Sequence, residues 1–142
     1  MTLRRFRHEV VTCTVEEPVE DIAKKLATSH VGCVVLVREG RPIGVLTDRD
    51  LVIRVVAAGK SAKTTRASDV VTYDPFVIEE NAGVAGALRA MRSHGVRRLP
   101  IVDDEGMLVG IVTTDDLMTL YGQRLFELAQ CIEANADATD TR

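Results

Sequence analysis

The stretch Gly44-Val45-Leu46-Thr47-Asp48-Arg49-Asp50-Leu51 returns 66 residues later as Gly110-Ile111-Val112-Thr113-Thr114-Asp115-Asp116-Leu117. In both copies an apolar run passes through a Gly into a Thr, and an Asp follows three residues after that Thr. A segment that repeats at fixed spacing marks an internal duplication, and it constrains the architecture before any local propensity is weighed.

The match extends upstream. Val19, Ile22, Ala23 and Leu26 have the i, i+3, i+4, i+7 spacing of one buried helical stripe, and Val84, Ala87, Leu88 and Met91 repeat it. Pro18 suits the start of the first helix, where a missing N–H is harmless. Asn81 is the expected N-cap of the second. Apolar runs follow each helix, Val31 to Val37 and Val96 to Val102. The spacing between copies grows by one residue after these runs, which places an insertion in the turn at Asp103-Asp104-Glu105-Gly106. Asp50 and Asp116 then fall in the first turn of a second helix, which reads Leu51 to Val56 in the first copy. Each copy is therefore strand, helix, strand, strand, helix, with β-branched residues dominating the strands.

A unit of roughly 60 residues buries too little surface to be robust alone. The expected fold is α+β: two β-α-β-β-α repeats packed sheet to sheet with pseudo-twofold symmetry, plus a C-terminal helix. The expected boundaries are an N-terminal arm at 1–9, repeats at 10–62 and 68–121, and a helix with a frayed tail at 122–142.

These residues resemble the CBS domain family, arranged as a tandem pair (a Bateman module) over about Val10 to Leu120. The paired Gly-x-x-Thr-x-x-Asp segments carry the resemblance, with the run His94-Gly95-Val96-Arg97-Arg98-Leu99-Pro100-Ile101-Val102. The layout is similar to small stand-alone bacterial CBS-pair proteins. The resemblance implies a regulatory module that binds adenosine-containing ligands (AMP, ADP, ATP, NAD or S-adenosylmethionine) in clefts between the repeats, with no metal required. By position, Asp50 and Asp116 would bond ribose hydroxyls, and Thr47 and Thr113 would contact ribose or phosphate. Val31, Gly32 and Cys33, and Val96, Arg97 and Arg98, would line the adenine and phosphate sides. Val11-Thr12 and Val71-Thr72, at the entrance of each copy, would touch the base. A twofold homodimer and an unknown regulated protein complete what the resemblance implies.

The same residue types follow from chemistry. An ionised carboxylate accepts hydrogen bonds from both hydroxyls of a ribose diol. A helix start favours the Asp and a nearby phosphate. Arg49, Arg97 and Arg98 offer charge to that phosphate. The Thr and Asp also fit plain helix capping, so both roles stay open. The copies differ: Val31-Gly32-Cys33 stands where the second copy has Val96-Arg97-Arg98, and Arg49 where it has Asp115. One cleft for a nucleotide, with the other empty or limited to a nucleoside, is an open alternative.

Net charge is −3 over 142 residues and no basic stripe is present, so nucleic acid is a poor partner. No apolar run approaches the roughly 20 residues a membrane span requires, and no signal-peptide core is present, so a cytoplasmic protein is expected. Cys13, Cys33 and Cys131 are scattered, with Cys33 expected as an inert core residue. His30 and His94 end the first helix of each repeat, a position that favours His. No nucleophile elbow, phosphate loop or metal-ligand spacing is found, so no enzyme is expected.

Leu117, Leu120, Tyr121, Leu125, Leu128 and Ile132 continue a helical stripe that Gly122 could kink or cap. This stripe either folds back on its own module or packs on a second subunit. The alternative function is a constitutive dimeric interaction protein with degenerate, empty clefts.

Overall fold

A computed structural model describes residues 1–140 of the chain. After a short 3-10 turn at Leu3–Phe6, the first repeat runs β1 (Thr12–Cys13), α1 (Val19–Ser29), β2 (Cys33–Arg38), β3 (Arg41–Thr47) and α2 (Asp48–Leu51). Helix α2 continues as a π turn over Val52–Val56. Helix α3 (Ala67–Val70) and β4 (Thr72–Tyr73) connect to the second repeat. That repeat is β5 (Ile78–Glu79), α4 (Gly83–His94), β6 (Arg98–Val102), β7 (Leu108–Thr113) and α5 (Thr114–Asp140).

The two repeats build two sheets, in the orders β1-β2-β3-β4 and β5-β6-β7. In each, the first short strand runs parallel to the next, and the following pair forms an antiparallel hairpin. Strand side chains alternate faces. Val34, Leu36 and Leu46 point to a core with Ile22, Leu26, Leu51 and Val55. Leu99, Ile101 and Val112 point to a second core with Val84, Ala87, Met91 and Leu117. Val35 and Pro100, on the opposite faces of β2 and β6, are also buried, although neither belongs to a core. Each sheet is thus covered by its own helices on one face and by the other repeat on the other. The hairpin tips also clasp, with the Leu108 N–H donating to the Gly40 carbonyl at 2.9 Å.

The segments that lead into the repeats are exchanged: the residues expected as an arm (1–9) join the second repeat, and the start of the expected second repeat (from 68) joins the first. Residues 1–9 are no arm on the first repeat: Leu3 is fully buried in the second core. The Leu3 N–H donates to the Glu80 carbonyl, the His8 N–H to the Val109 carbonyl, and Arg7 bridges Gly110 at the edge of β7. In the matching place, α3 contributes Ala67 and Val70 to the first core, and β4 pairs with β3 through Tyr73 and Gly44. The repeated Gly exists for this crossing. A Cβ on Gly44 would lie 2.6 Å from Val71 Cγ2, and one on Gly110 would strike the Phe6 carbonyl.

Several local expectations change. Ala82 rather than Asn81 is the N-cap of α4, without a side-chain bond. Val71-Thr72 are not the counterpart of Val11-Thr12, because Cys13 pairs with Leu36 as Ile78 pairs with Ile101, which makes the Val77 position the counterpart of Thr12. Helix α5 passes through Gly122 without interruption and continues to Asp140. The segment expected to fray, 135–142, is helical through Asp140, and Thr141 and Arg142 lie outside the described residues. The helix does not fold back, since every residue from 121 to 139 is exposed.

Candidate functional site

The site starts from the repeated motif. The Thr47 N–H donates to Asp50 Oδ2 at 2.9 Å, and the Asp50 N–H donates to Thr47 Oγ1 at 3.1 Å. This capping box satisfies two helix-start donors that β3 leaves open as it turns into α2. It uses one carboxylate oxygen, Oδ2, and leaves Oδ1 outside the box. Asp50 Oδ1 faces Arg54 Nη2 at 3.4 Å. The same guanidinium donates through Nη1 to the Val70 carbonyl at 2.6 Å and to Thr72 Oγ1 at 3.0 Å.

Asp50, Thr47, Val45 and Thr72 form one wall of a cleft of about 320 Å³. Val96, Arg97, Arg98 and Pro100 of the second repeat form the other wall, and Asp74-Pro75-Phe76 closes one end. That volume is at the small end of ligand pockets. Arg97 is exposed and lies 3.8 Å from Asp115, an ion pair that contributes little in water. Arg98 is half-buried and reaches toward Asp48 across Gly32, where an added Cβ would be 3.1 Å from the guanidinium and 3.6 Å from the carboxylate.

Six expected site residues therefore share this cleft: Thr47, Asp50, Thr72, Val96, Arg97 and Arg98. In the repeat, Thr113 and Asp116 correspond to Thr47 and Asp50, and Val31, Gly32 and Cys33 to Val96, Arg97 and Arg98; none of these five lines the cleft. The Thr113 N–H donates to Asp116 Oδ2 at 2.9 Å and the Asp116 N–H to Thr113 Oγ1 at 3.1 Å. The backbone repeats as well. The Asp48 N–H donates to the Gly32 carbonyl and the Thr114 N–H to the Arg97 carbonyl, both at 3.0 Å. Four expected residues sit elsewhere. Arg49 is exposed on α2 and does not line the cleft. Val71 is buried in the first core. Val11 packs on that core while its carbonyl accepts from the Val35 N–H, and the Thr12 carbonyl accepts from Lys25 Nζ.

Asp74, Pro75, Phe76 and Arg54 were not expected. Asp74 takes a left-handed backbone with φ of 50°, and the Asp-Pro pair that follows β4 is the turn signal that could have marked it. Phe76 stacks on His94 with ring centroids 3.8 Å apart and planes at 12°. The role of His94 at the end of α4 is therefore a ring contact at the rim of the cleft. The thiols also exchange roles: Cys13 is the buried core cysteine, and Cys33 is half-buried. Burial, with the Glu17 charge adding and Lys25 opposing, pushes the Cys13 thiol up to about 12. Burial raises the Cys33 thiol too, with Arg98 opposing and Asp48 adding.

Paired strand-to-helix carboxylates and a cleft between two repeats define a tandem-repeat module. The chain belongs to the CBS domain family, whose model matches residues 3–57 and 67–122. It is 42% identical over 113 residues to an uncharacterized protein of Methanopyrus kandleri, covering 79% of this chain and 58% of that protein. The chain thus spans little more than half the length of that relative. Hypoxic response protein 1 of Mycobacterium tuberculosis is 34% identical over 118 residues, covering 82% of each chain. The crystal structure of Hypoxic Response Protein I with two coordinated zinc ions superposes with a TM-score of 0.74 at 30% identity, covering 84% of this chain and 98% of that one. A CBS domain protein of Pyrobaculum aerophilum complexed with AMP gives a TM-score of 0.74 at 26% identity, covering 82% and 90%. No helix among the described residues is long and apolar enough to cross a membrane.

Proposed function

We propose that this protein is a regulatory, non-catalytic module that binds an adenosine-containing ligand between its repeats and passes the occupied state to a partner protein. The observation that carries this reading is the cleft itself. It joins a ribose-sized carboxylate, Asp50, on one repeat to Arg97 and Arg98 on the other, across apolar walls of Val45, Val96 and Pro100. A ribose diol donates to Asp50, a phosphate meets the guanidinium groups, and the base lies between the aliphatic walls. A ligand held by both repeats shifts their relative packing, because it binds one arrangement better than another. The AMP complex of the Pyrobaculum aerophilum relative supports this ligand class. AMP, ADP, ATP, NAD and S-adenosylmethionine are the candidates.

The two positions are unequal in this reading. The Asp50 cleft carries arginines, whereas Asp116 has beside it only Asp115, whose charge is already met by Arg97 at 3.8 Å, so the second position favours a nucleoside or stays empty. This reading assigns no metal to the site. The three free thiols suit a reducing cytoplasm.

Homodimerisation belongs to the same proposal. Met118, Leu125, Phe126, Leu128 and Ile132 of α5 are each at least 58% exposed, and Val52 and Val56 of the π turn lie open as well. Apolar surface of this extent marks an interaction face. A second copy is the occupant this reading assigns. The competing reading, a constitutive dimer with empty clefts, draws on the capping boxes, which occupy Thr47 and Asp50 without any ligand.

Calorimetric titration with AMP, ATP, NAD and S-adenosylmethionine tests the proposal. Binding of at least one, weakened by Asp50→Ala, is the expected result. No binding of any at millimolar concentration would leave the constitutive dimer.

A further inference from the structure

Arg54 does not line the cleft, and it engages two of the three polar residues of one wall, Asp50 and Thr72. Its two terminal nitrogens divide the work. Nη2 faces Asp50 Oδ1 at 3.4 Å, while Nη1 donates to Thr72 Oγ1 at 3.0 Å and to the Val70 carbonyl at 2.6 Å. A hydroxyl whose oxygen accepts from a guanidinium turns its own proton away from it. Thr72 is thereby presented to the cleft as a donor. Asp50 is presented as a carboxylate whose charge is offset by the adjacent cation. With Oδ2 holding the Thr47 N–H and Oδ1 facing Arg54, lone pairs on both oxygens still remain for a ribose diol.

The second repeat lacks this arrangement. The residue 66 positions on from Arg54 is Leu120, which is buried in the second core. No hydrogen bond or ion pair engages Asp116 Oδ1 among the described residues, and Asp115 stands next to it. The duplicated motif is thus charge-compensated from behind in one repeat and not in the other.

We infer that Arg54 is a specificity-determining residue of the Asp50 cleft: as a positioning residue acting through Asp50 and Thr72, it makes that cleft prefer phosphorylated adenosyl ligands over the free nucleoside. This rests on the adenosyl reading above and deepens it. An uncompensated Asp50 repels a phosphate held in the same small cavity, and a freely rotating Thr72 hydroxyl is as ready to accept as to donate. Both effects penalise an anion and leave a neutral nucleoside little changed. The role needs a guanidinium fork for full effect, since a lysine supplies the charge but not two directed donors.

The test is a set of calorimetric titrations of the wild type, Arg54→Met and Arg54→Lys with AMP and with adenosine, at fixed ionic strength. The readout is the ratio of the two affinities, which a loss of wall rigidity alone does not change. Arg54→Met is expected to lower AMP affinity by about fivefold or more, the scale of one partly exposed charge interaction, with adenosine affinity holding within about twofold. Arg54→Lys is expected to recover part of the ratio, and it carries the test if Arg54→Met does not fold. A parallel loss for both ligands, or an unchanged ratio in a folded variant, would overturn the inference alone. A wild type that binds neither ligand at millimolar concentration would overturn the adenosyl reading, and this inference with it.

Discussion

Thr113 and Asp116 satisfy one another at the start of α5 through the same pair of bonds, at 2.9 and 3.1 Å, that Thr47 and Asp50 make at the start of α2. Capping and ligand binding are therefore not rival explanations of the motif. The box fixes one carboxylate oxygen and the helix start, and the remaining lone pairs are held in a set direction for a ligand.

This dual use separates by substitution. Asp50→Asn keeps an oxygen that can accept the Thr47 N–H, so urea denaturation should place its stability within about 0.5 kcal/mol of wild type. Its affinity for a ribose-containing ligand should nevertheless fall, because the charge-assisted bonds to the diol are gone. Thr113→Ala, which removes a cap outright, should lose about 1 kcal/mol of stability. Equal losses of stability in Asp50→Asn and Thr113→Ala would contradict the assignment.

Two glycines should respond in opposite directions. Gly110→Ala drives a methyl into the Phe6 carbonyl, and overpacking of this kind costs about 1–3 kcal/mol. It should also loosen the segment that seats Leu3, making the N-terminal residues more sensitive to protease. Gly122→Ala has nothing within 4 Å of the added Cβ and lies inside α5, so it should stabilise the helix by about 0.5–1 kcal/mol. Thermal melts of the two variants measure both effects.

The buried Cys13 thiol gives a pH signature. Its value rises from 9.0 to about 12 in the fold, chiefly because burial disfavours the thiolate. Above pH 9 the unfolded chain gives up this proton while the fold retains it, so the unfolded state gains. The contribution is complete below about pH 9 and declines as pH rises toward about 12. Wild type should therefore lose stability over that window faster than Cys13→Ala. Parallel declines would show that Cys13 is not the group responsible. At neutral pH an alkylating reagent should label the exposed Cys131 and spare Cys13.

The apolar face of α5 predicts its own variant. Leu125→Ser combined with Ile132→Ser should halve the mass measured by light scattering while leaving the circular dichroism of the two repeats in place. Both side chains are about two-thirds exposed and lie outside either core, so the substitution removes association without unpacking a repeat. A wild type already monomeric at the same concentration would contradict the proposed dimer.

The duplication, the helical stripes and the alternation of the strands were legible because they are periodic, and periodicity reports which face is buried. The seating of Leu3 in the second core was not legible. Residues 1–9 carry no period, and their partners on Glu80, Val109 and Gly110 lie about 75 to 105 positions away. The motif glycines were visible, but their reason, a crossing backbone, was not. Thr47, Asp50, Val96, Arg97 and Arg98 could be read as a site because they repeat or carry charge. Asp74, Phe76 and Arg54 were not legible because nothing in the other copy repeats them, as Leu120 at the place of Arg54 shows. Arg49 misled because charge within the motif says nothing about which side of α2 it leaves from.

The central claim is that the cleft between Asp50 and Arg97-Arg98 holds an adenosyl ligand. A crystal grown with millimolar AMP tests it most directly. The account predicts one AMP with its ribose hydroxyls on Asp50 and its phosphate toward Arg97 and Arg98. A cleft without AMP under those conditions, or AMP bound only outside it, would contradict the account.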